Sequence, residues 1–552
     1  MLMSSPPRRV LSAHATEKDL SLIVISLVVI TAAVGALTAS PEHSKMLAEQ
    51  WFDTTTRWFG SWVQMLGFAS VVIAFALAFS KYGHIRLGTG APEYTNTGWV
   101  FMFICAGLGS ATMYWAFMEW GYYYLTPGLN IAPASKQALE FSIAYSFFHW
   151  GITPWAMYAI ASLAMAYHFH VRRNEGLSLS SVMQAITGLK AKGPAGRAID
   201  LIFLLATFGG LVLTITLTTS TVSRGLADLL GLTDGFMLKA GLVILVTLVF
   251  SLTSFVGIAS GMQRLAKVAC ALTLLFGLIV LILGPTQFAV SNITNGIGLM
   301  LQHFVQMSLA TDPTGNGDFP RGWTAFYWLY WTTYTPGVAI FVTRVSRGRT
   351  VREVILAMIL GGCAGCWFFF GSLESFAIHQ FITGLIDSPA ILSSGGGEAG
   401  VSMLLISLPW GKLMAALYFL LMLVFLASHL DAVSFTVAAT STRNLREGDD
   451  PAPGLRVFWC VMLAALPTAM LYINAPLTTL KTAVTLAAIP FILVLVVMML
   501  GLFRWLRQDY GNLTSAQIES QSREWLSSQP AADSVRISDA MSGYRVTETG
   551  TA

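Results

Sequence analysis

The sequence predicts an all-α integral membrane protein of about twelve transmembrane helices. Hydrophobic residues make up 55% of the 552-residue chain and charged residues only 11%, whereas a soluble domain carries roughly 25% charged residues. Apolar runs of about 20 residues recur along the chain, and each is long enough to cross a hydrocarbon core as a helix. No alternating strand pattern is present, and helices satisfy their own backbone hydrogen bonds in lipid, so the runs indicate helical spans.

The apolar runs divide the chain into three parts. A segment at 1–19 precedes the first span, the spans fill 20–507, and a polar tail at 508–552 is expected to be disordered. In chain order the predicted spans are 20–39, 60–80, 98–124, 141–170, 198–222, 237–258, 265–284, 323–344, 353–379, 411–438, 456–474 and 482–503.

Three further segments do not read as spans. Residues 177–188 are predicted to form a short interfacial helix, and 289–307 an amphipathic external segment between the seventh and eighth spans. Residues 389–409, which contain Gly395 to Gly397, are predicted to form an external loop or lid.

The basic residues predict the orientation of the spans. With twelve spans both termini share one side, and the loops and tails of that side hold 24 of the 32 Lys and Arg residues. Because cytoplasmic loops carry such an excess, both termini are predicted to be cytoplasmic in a plasma membrane. The net charge of +4 reflects this excess and does not indicate a nucleic-acid partner. The opposite side holds Lys45, Arg57, Lys136, Arg224, Lys239, Arg321, Lys412 and Lys481.

Ionisable residues at membrane depth are few. A charge there costs at least about 2.5 kcal/mol, so each is expected to face a cavity or a partner, with an interhelical hydrogen bond as the ordinary alternative to a functional role. They form no paired-carboxylate, metal-ligand or nucleophile–base arrangement, so no catalytic residue, metal or cofactor is predicted and a membrane enzyme is disfavoured. These residues are Glu119, His149, Glu374, His379, His429 and Asp431.

An aromatic cluster in the fourth span, FHWGITPWAMY, places Trp155 and Tyr158 three residues apart on one helical face. Trp150 and Trp155 are five residues apart, which separates them by about 140° on an ideal helix. They can flank one ligand if Pro154 loosens the intervening turn. A second cluster, WTAFYWLYWTTYTP in the eighth span, repeats the spacing of three at Trp328, Trp331 and Tyr334.

Buried aromatic faces suit a cation that offers no hydrogen-bond donors. A trimethylammonium group is permanently charged and weakly hydrated, and a good contact with a ring is worth ~0.5–2 kcal/mol. The alternative is a belt of Trp and Tyr at the membrane interface. Trp150 and Trp155 lie deep within their span, which a belt does not explain. The pattern therefore favours a cage for a quaternary-ammonium ligand.

Small residues in the third span leave two interpretations open. The run CAGLGSATMYW, from Cys105 to Trp115, is typical of a close packing face. It is also typical of a helix that loosens within the membrane and lends backbone groups to a ligand or ion. The CxxC pair at Cys363 and Cys366 lies in the similar run GGCAGCWFFF and is interpreted as close helix packing, because no second ligand pair accompanies it.

The chain resembles the betaine/choline/carnitine transporter family from the first span to about Arg507. The most specific matches are FHWGITPWAMY at 148–158 and FYWLYW with RVSRGRTVRE at 326–353. The resemblance implies a LeuT-type core of two inverted repeats, at 98–284 and 323–503, preceded by two additional helices at 20–80. It also implies a homotrimer.

The resemblance assigns substrate-binding residues to the two aromatic clusters. The central aromatic box of the family falls on Trp150, Trp155, Tyr158 and Trp331. Tyr122 matches a tyrosine that contributes to the site in carnitine-type members. Tyr330 stands where many members have a second tryptophan, which is expected to alter selectivity. The neighbours expected to line the path are Trp328, Tyr330 and Tyr334.

The resemblance leaves the coupling mode open. Sodium-driven members carry GxGxG in the third span and a hydroxyl pair in the tenth. Here the motif reads GLGSA, ending at Ala111, and the pair becomes Ser428–His429, so both parts of that sodium site are weakened. Choline-type members often have an acidic group where Ala111 stands, and exchangers have an arginine that aligns near Cys270. With Na⁺ as the candidate coupling ion, the candidate ion-coupling residues are Cys105, Leu108, Ser428 and His429.

These features predict a secondary active transporter that carries betaine, carnitine or a similar quaternary-ammonium compound through the lipid bilayer by alternating access. Coupling to an ion gradient is expected, and sodium-independent antiport of substrate and product is the alternative. Dimethylsulfoniopropionate and choline are alternative substrates. A sensor or channel that keeps the box without coupled turnover is the alternative from a different class.

Overall fold

A computed structural model describes residues 18–174, 178–256, 259–315, 317–443 and 451–528. These residues are almost entirely helical, and within them strand pairing is limited to two isolated bridges, Lys18 with Thr442 and Arg86 with Thr350. The prediction of an all-α protein is confirmed.

Twenty α-helices occur in the described ranges, together with a 3-10 turn at Lys81–His84 and π-helical segments at Tyr167–Val171 and Pro320–Ala325. In chain order they are α1 (Leu20–Ala39), α2 (Pro41–Phe79), α3 (Asn96–Ala106), α4 (Ser110–Leu125), α5 (Lys136–His149), α6 (Ile152–Ala166), α7 (Leu179–Thr187), α8 (Pro194–Leu230), α9 (Phe236–Val256), α10 (Ala259–Leu283), α11 (Thr286–Gln302), α12 (Phe304–Leu309), α13 (Phe326–Val345), α14 (Val351–Ile382), α15 (Ser388–Ser393), α16 (Gly397–Ile406), α17 (Gly411–Thr440), α18 (Pro453–Tyr472), α19 (Leu477–Tyr510) and α20 (Ser515–Ser527).

Each predicted span coincides with a helix or a pair of helices. Among the described residues, eight helices are long and apolar enough to cross a membrane, or nine if the bent pair α3–α4 is one span. Three further predicted spans are helical but lie outside this set: the fourth is split between α5 and α6, the sixth is α9, and the eighth is α13, which is rich in Trp and Tyr. The protein therefore spans a membrane repeatedly, and the number twelve stays a prediction.

The third span is broken in its middle. Helix α3 ends at Ala106, α4 begins at Ser110, and the two helices meet at a bend of 62°. Gly107 lies at this break, where a Cβ atom would come within 2.6 Å of the Cys366 sulfur. The interpretation that this small-residue run loosens within the span is confirmed.

The segment between α13 and α14 ties three parts of the bundle together. Gly348 has a φ of +75° and donates its N–H to the Leu87 carbonyl at 2.7 Å. The Arg349 guanidinium lies 4.4 Å from the ring centre of Trp99 in α3. Thr350 then begins α14 with a capping box to Glu353.

The tail is more ordered than its composition predicts. Helix α19 continues to Tyr510, and α20 follows, started by a capping box of Thr514 and Gln517. The Arg86 guanidinium donates to the Ser522 carbonyl at 2.9 Å, and the Gly90 N–H donates to the Trp525 carbonyl at 2.8 Å. The expectation of a disordered tail is wrong for 508–528, because contacts distant in sequence anchor this helix. Residues 529–552 lie outside the described ranges.

The three non-spanning segments are also helical. The described part of 177–188 contains α7, and the segment 289–307 falls within α11 and α12. Residues 389–409, expected as a loop or lid, contain most of α15 and all of α16. Gly397 at the start of α16 approaches α4 so closely that a Cβ atom would lie 2.2 Å from the Tyr114 hydroxyl.

Candidate aromatic binding site

The fourth span is interrupted where its first predicted box residue lies. Helix α5 ends at His149 and α6 begins at Ile152, which leaves Trp150 and Gly151 between them. A Cβ atom on Gly151 would lie 2.2 Å from the Phe147 carbonyl oxygen, so glycine is required at this turn. Pro154 instead sits in the first turn of α6, where proline is tolerated. The turn is therefore loosened at Gly151, and the expectation that Pro154 does so is corrected.

Three buried rings surround the ring of Trp331. Its ring centre lies 4.9 Å from that of Trp150, 5.5 Å from that of Tyr158 and 6.5 Å from that of Trp155. Trp155 and Tyr158 touch each other at 5.7 Å and are nearly perpendicular. All four side chains are buried. The structure thus brings together the four residues predicted to form the box, and they are called the aromatic box below.

Two walls of the aromatic box are oriented by hydrogen bonds. The indole N–H of Trp150 donates to the Glu119 carboxylate at 2.9 Å. The indole N–H of Trp331 donates to the His149 carbonyl at 2.9 Å. Both partners lie on neighbouring helices, so the orientation of these rings depends on how α4, α5 and α13 pack.

The third wall, Trp155, is placed by a glycine. A Cβ atom on Gly362 of α14 would lie 2.0 Å from the Trp155 ring, so the ring packs directly on the helix backbone. One turn further along α14, the Cys366 sulfur lies beside Gly107, where a Cβ atom would come within 2.6 Å of it. Cys363 and Cys366 are free and buried, which agrees with their interpretation as packing residues.

Glu119 is the centre of a buried hydrogen-bond network behind the aromatic box. Besides the Trp150 indole, its carboxylate accepts hydrogen bonds from the hydroxyls of Tyr123 at 2.5 Å and Tyr327 at 2.6 Å. The Tyr123 hydroxyl also lies 2.7 Å from His149 Nδ1. The sequence singled out Glu119 and His149 as ionisable, and their interhelical hydrogen bonds are confirmed. Their contact with two box tryptophans could not be read from spacing.

Of the three residues predicted to line the substrate path, Tyr330 and Tyr334 lie beside the aromatic box and Trp328 does not. Tyr330 and Tyr334 adjoin the aromatic box and are tied to α8, because both hydroxyls lie within 3.0 Å of the Thr214 hydroxyl. Trp328 instead packs against Phe148 at 5.3 Å and against Gly67 of α2, where a Cβ atom would lie 3.1 Å from its ring. Trp328 therefore faces away from Trp331, although the two are one turn apart.

Tyr122 belongs to a second group of rings. Its ring centre lies 5.3 Å from that of Trp323 and 6.0 Å from that of Trp115. Tyr327 connects this group to the aromatic box, with ring centres 6.3 Å from Trp323 and 5.8 Å from Trp150. Trp115, Tyr122, Trp323 and Tyr327 are called the outer aromatic cluster below.

The candidate ion-coupling residues have local contacts. Cys105 forms a disulfide with Cys270, and its carbonyl accepts the Leu108 N–H at 3.0 Å. The Ser428 hydroxyl donates to the Val424 carbonyl of its own helix at 2.8 Å, and the His429 ring lies 5.4 Å from that of Tyr334. The disulfide leaves the Cys105 side chain without a free thiol, so ion coupling there would depend on backbone oxygens.

Comparison with known proteins gives one family. The model of the betaine/carnitine/choline family transporters matches residues 21–511. A carnitine transporter of Acinetobacter baumannii is 48% identical over 503 residues, covering 91% of this chain and 92% of that protein. An uncharacterized transporter of Escherichia coli K12, YeaV, is 57% identical over 443 residues, covering 80% of this chain and 92% of that protein.

A solved structure of a Na⁺-coupled sialic acid symporter in a substrate-bound outward-open state is more distant. It is 14% identical, covers 81% of this chain and 97% of that one, and has a TM-score of 0.37. This likeness is too low to carry an argument about the fold or the site.

Proposed function

The chain belongs to the betaine/carnitine/choline transporter family, and we propose that it is a secondary active transporter of a quaternary-ammonium compound. The family establishes a membrane transporter of a small molecule and not an enzyme. Glycine betaine and carnitine are the proposed substrates, carried across the plasma membrane by alternating access.

The observation that supports this substrate class most directly is the convergence of Trp150, Trp155 and Tyr158 on Trp331. The face of an aromatic ring is negative and attracts a cation, and several such contacts at ~0.5–2 kcal/mol each can replace the weak hydration of a trimethylammonium group. Dimethylsulfoniopropionate carries a sulfonium that fits the same chemistry. The relative described as a carnitine transporter favours carnitine among these compounds.

The proposed orientation has both termini in the cytoplasm. The excess of basic residues on that side, 24 of 32, supports it. The proposed trimer rests on the family resemblance alone.

Coupling to an ion gradient, with Na⁺ as the candidate ion, is the first proposal for energy input. Sodium-independent antiport is the second, and specific observations favour it. The tenth span has His429 beside Ser428 in place of a second hydroxyl, and the Cys105 carbonyl already accepts the Leu108 N–H. Both features reduce the oxygen ligands that a hard cation needs.

The test is uptake of labelled betaine and carnitine into proteoliposomes, with and without an inward Na⁺ gradient and with preloaded unlabelled substrate. Accumulation above the external concentration in a Na⁺ gradient supports a symporter. Uptake that requires internal substrate supports an antiporter. Binding without uptake under every condition would contradict the proposal and indicate a sensor.

A further inference from the structure

A buried lysine, Lys481, lies against the outer aromatic cluster. Lys481 lies in the first turns of α19 and is 6% exposed. Its ammonium lies 3.3 Å from the ring centre of Trp323 and 4.7 Å from that of Phe326. It donates a hydrogen bond to the Gly322 carbonyl at 2.9 Å. Two aromatic faces and a carbonyl oxygen are groups that stabilise an ammonium cation.

Trp323 connects this lysine to the rest of the outer aromatic cluster. Its ring centre lies 5.3 Å from that of Tyr122 and 6.3 Å from that of Tyr327, and Tyr327 contacts Trp150 of the aromatic box. The Lys481 side chain therefore contacts the ring at one end of a series of contacting rings, from Trp323 through Tyr327 to Trp150 of the aromatic box. At the other end of this series, the Glu119 carboxylate accepts hydrogen bonds from Tyr327 and Trp150.

Lys481 lies at the end of the bundle that the basic residues predict to be extracellular. If a substrate enters from that side along these rings, it passes the Lys481 side chain before it reaches Trp150. A cation that approaches the outer aromatic cluster is repelled by a charge of its own sign. A zwitterion has no net charge, and its carboxylate is attracted as its onium group is repelled.

We propose that Lys481 is a specificity-determining residue that selects zwitterionic onium compounds, such as betaine and carnitine, over onium compounds with a net positive charge, such as choline. This inference rests on the proposed function of the aromatic box. Choline and betaine share the trimethylammonium group and differ in whether a carboxylate balances it, so they isolate the effect of net charge. Between unit charges about 10 Å apart at an effective dielectric constant of about 20, repulsion corresponds to roughly a tenfold difference in affinity.

The experiment compares the apparent affinities of choline and betaine, measured by inhibition of labelled carnitine or betaine uptake. Lys481→Met removes the charge. Lys481→Gln also removes it but keeps an N–H donor for the Gly322 carbonyl. Lys481→Arg keeps the charge. Lys136→Met is the matched control, since it removes a lysine from the same predicted side whose side chain is 91% exposed.

We expect Lys481→Met and Lys481→Gln to improve choline affinity relative to betaine by about tenfold, while Lys481→Arg and Lys136→Met keep the wild-type ratio. An unchanged ratio in either neutral variant, once it is shown to be folded by its melting temperature, overturns the proposal. If Lys481→Met does not fold, Lys481→Gln decides. A wild-type protein that takes up choline as well as betaine overturns it too. Failure of the wild type to take up any onium compound would instead contradict the proposed function.

Discussion

Trp331 and Trp150 owe their positions to polar partners that a sequence pattern does not reveal. Helical spacing predicted that Trp155 and Tyr158 share a face, and the resemblance to a family assigned Trp331 to the same site. The hydrogen bond from the Trp150 indole to Glu119 joins residues 31 positions apart. At the scale of single residues, the aromatic box could therefore be predicted, but the groups that orient its rings could not.

Trp328 shows the limit of spacing as a guide. It was predicted beside Trp331 because residues three apart lie near each other on a helix. The two side chains nevertheless contact different parts of the bundle. Trp331 contacts Trp150, whereas Trp328 packs on α2, where Gly67 leaves space for its ring. Tertiary packing, and not periodicity, decides which of the two tryptophans meets the box.

Replacing Glu119 by Gln tests the network behind the aromatic box. The amide has one acceptor oxygen in place of two, so it cannot accept from Tyr123 as well as from Trp150 and Tyr327. Leaving buried donors unpaired costs about 1–3 kcal/mol, so we expect the KM for betaine or carnitine to rise about five- to a hundredfold. The measurement is the KM for uptake in proteoliposomes.

Glu374→Gln is the matched control for this substitution. Glu374 is also fully buried, and its carboxylate accepts a hydrogen bond at 2.7 Å from Ser146, which is not part of the aromatic box. Its replacement should leave the KM near that of the wild type. Equal effects of the two substitutions would show that Glu119 acts through general stability and not through the position of Trp150.

At the scale of secondary-structure elements, the third and fourth spans are each interrupted, between α3 and α4 and between α5 and α6. The small-residue run at 105–115 left packing and loosening as equal interpretations, and the structure contains both, since α3 ends at Ala106 and Gly107 in the break packs against Cys366. In the fourth span the sequence pointed to Pro154, yet α5 ends earlier, at His149, and the interruption lies at Trp150 and Gly151. A proline is visible in any sequence, whereas the carbonyl that excludes a Cβ atom from Gly151 is visible only in the fold.

Gly362 of α14 permits the contact between that helix and Trp155. A methyl group at this position would lie 2.0 Å from the indole ring, and overpacking of a buried contact costs about 1–3 kcal/mol. We therefore expect Gly362→Ala to displace Trp155 and to weaken substrate binding by about five- to a hundredfold. Binding to the purified protein, measured by titration calorimetry, reports this directly.

Gly241→Ala is the control for the glycine substitution, because Gly241 lies within α9 with nothing within 4 Å of its Cβ position. An alanine there removes the helix penalty of glycine, about 1 kcal/mol, and should leave affinity unchanged. If Gly362→Ala binds substrate as the wild type does, Trp155 is not held by this contact.

At the scale of the whole molecule, composition correctly predicted the helical membrane fold but did not predict the helix in the tail. An apolar chain with few charges has to satisfy its backbone hydrogen bonds within helices when it lies in a membrane, whatever its individual residues are. The order of 508–528 depends instead on Lys81, Arg86 and Gly90, which bind backbone carbonyls of the tail from far away in sequence. Such long-range contacts cannot be read from a polar composition.

We propose that the aromatic box holds a quaternary-ammonium group by cation–π attraction. The most direct test is the affinity of the purified protein for its onium substrate and for an analogue in which C(CH₃)₃ replaces N(CH₃)₃⁺, in wild type, Trp331→Ala and Trp328→Phe. The analogue has the same shape without the charge, so we predict binding at least about tenfold weaker. Trp331→Ala should weaken substrate binding by a similar factor, and Trp328→Phe should not. Equal affinity for substrate and analogue, or unchanged affinity in a folded Trp331→Ala protein, would contradict the account.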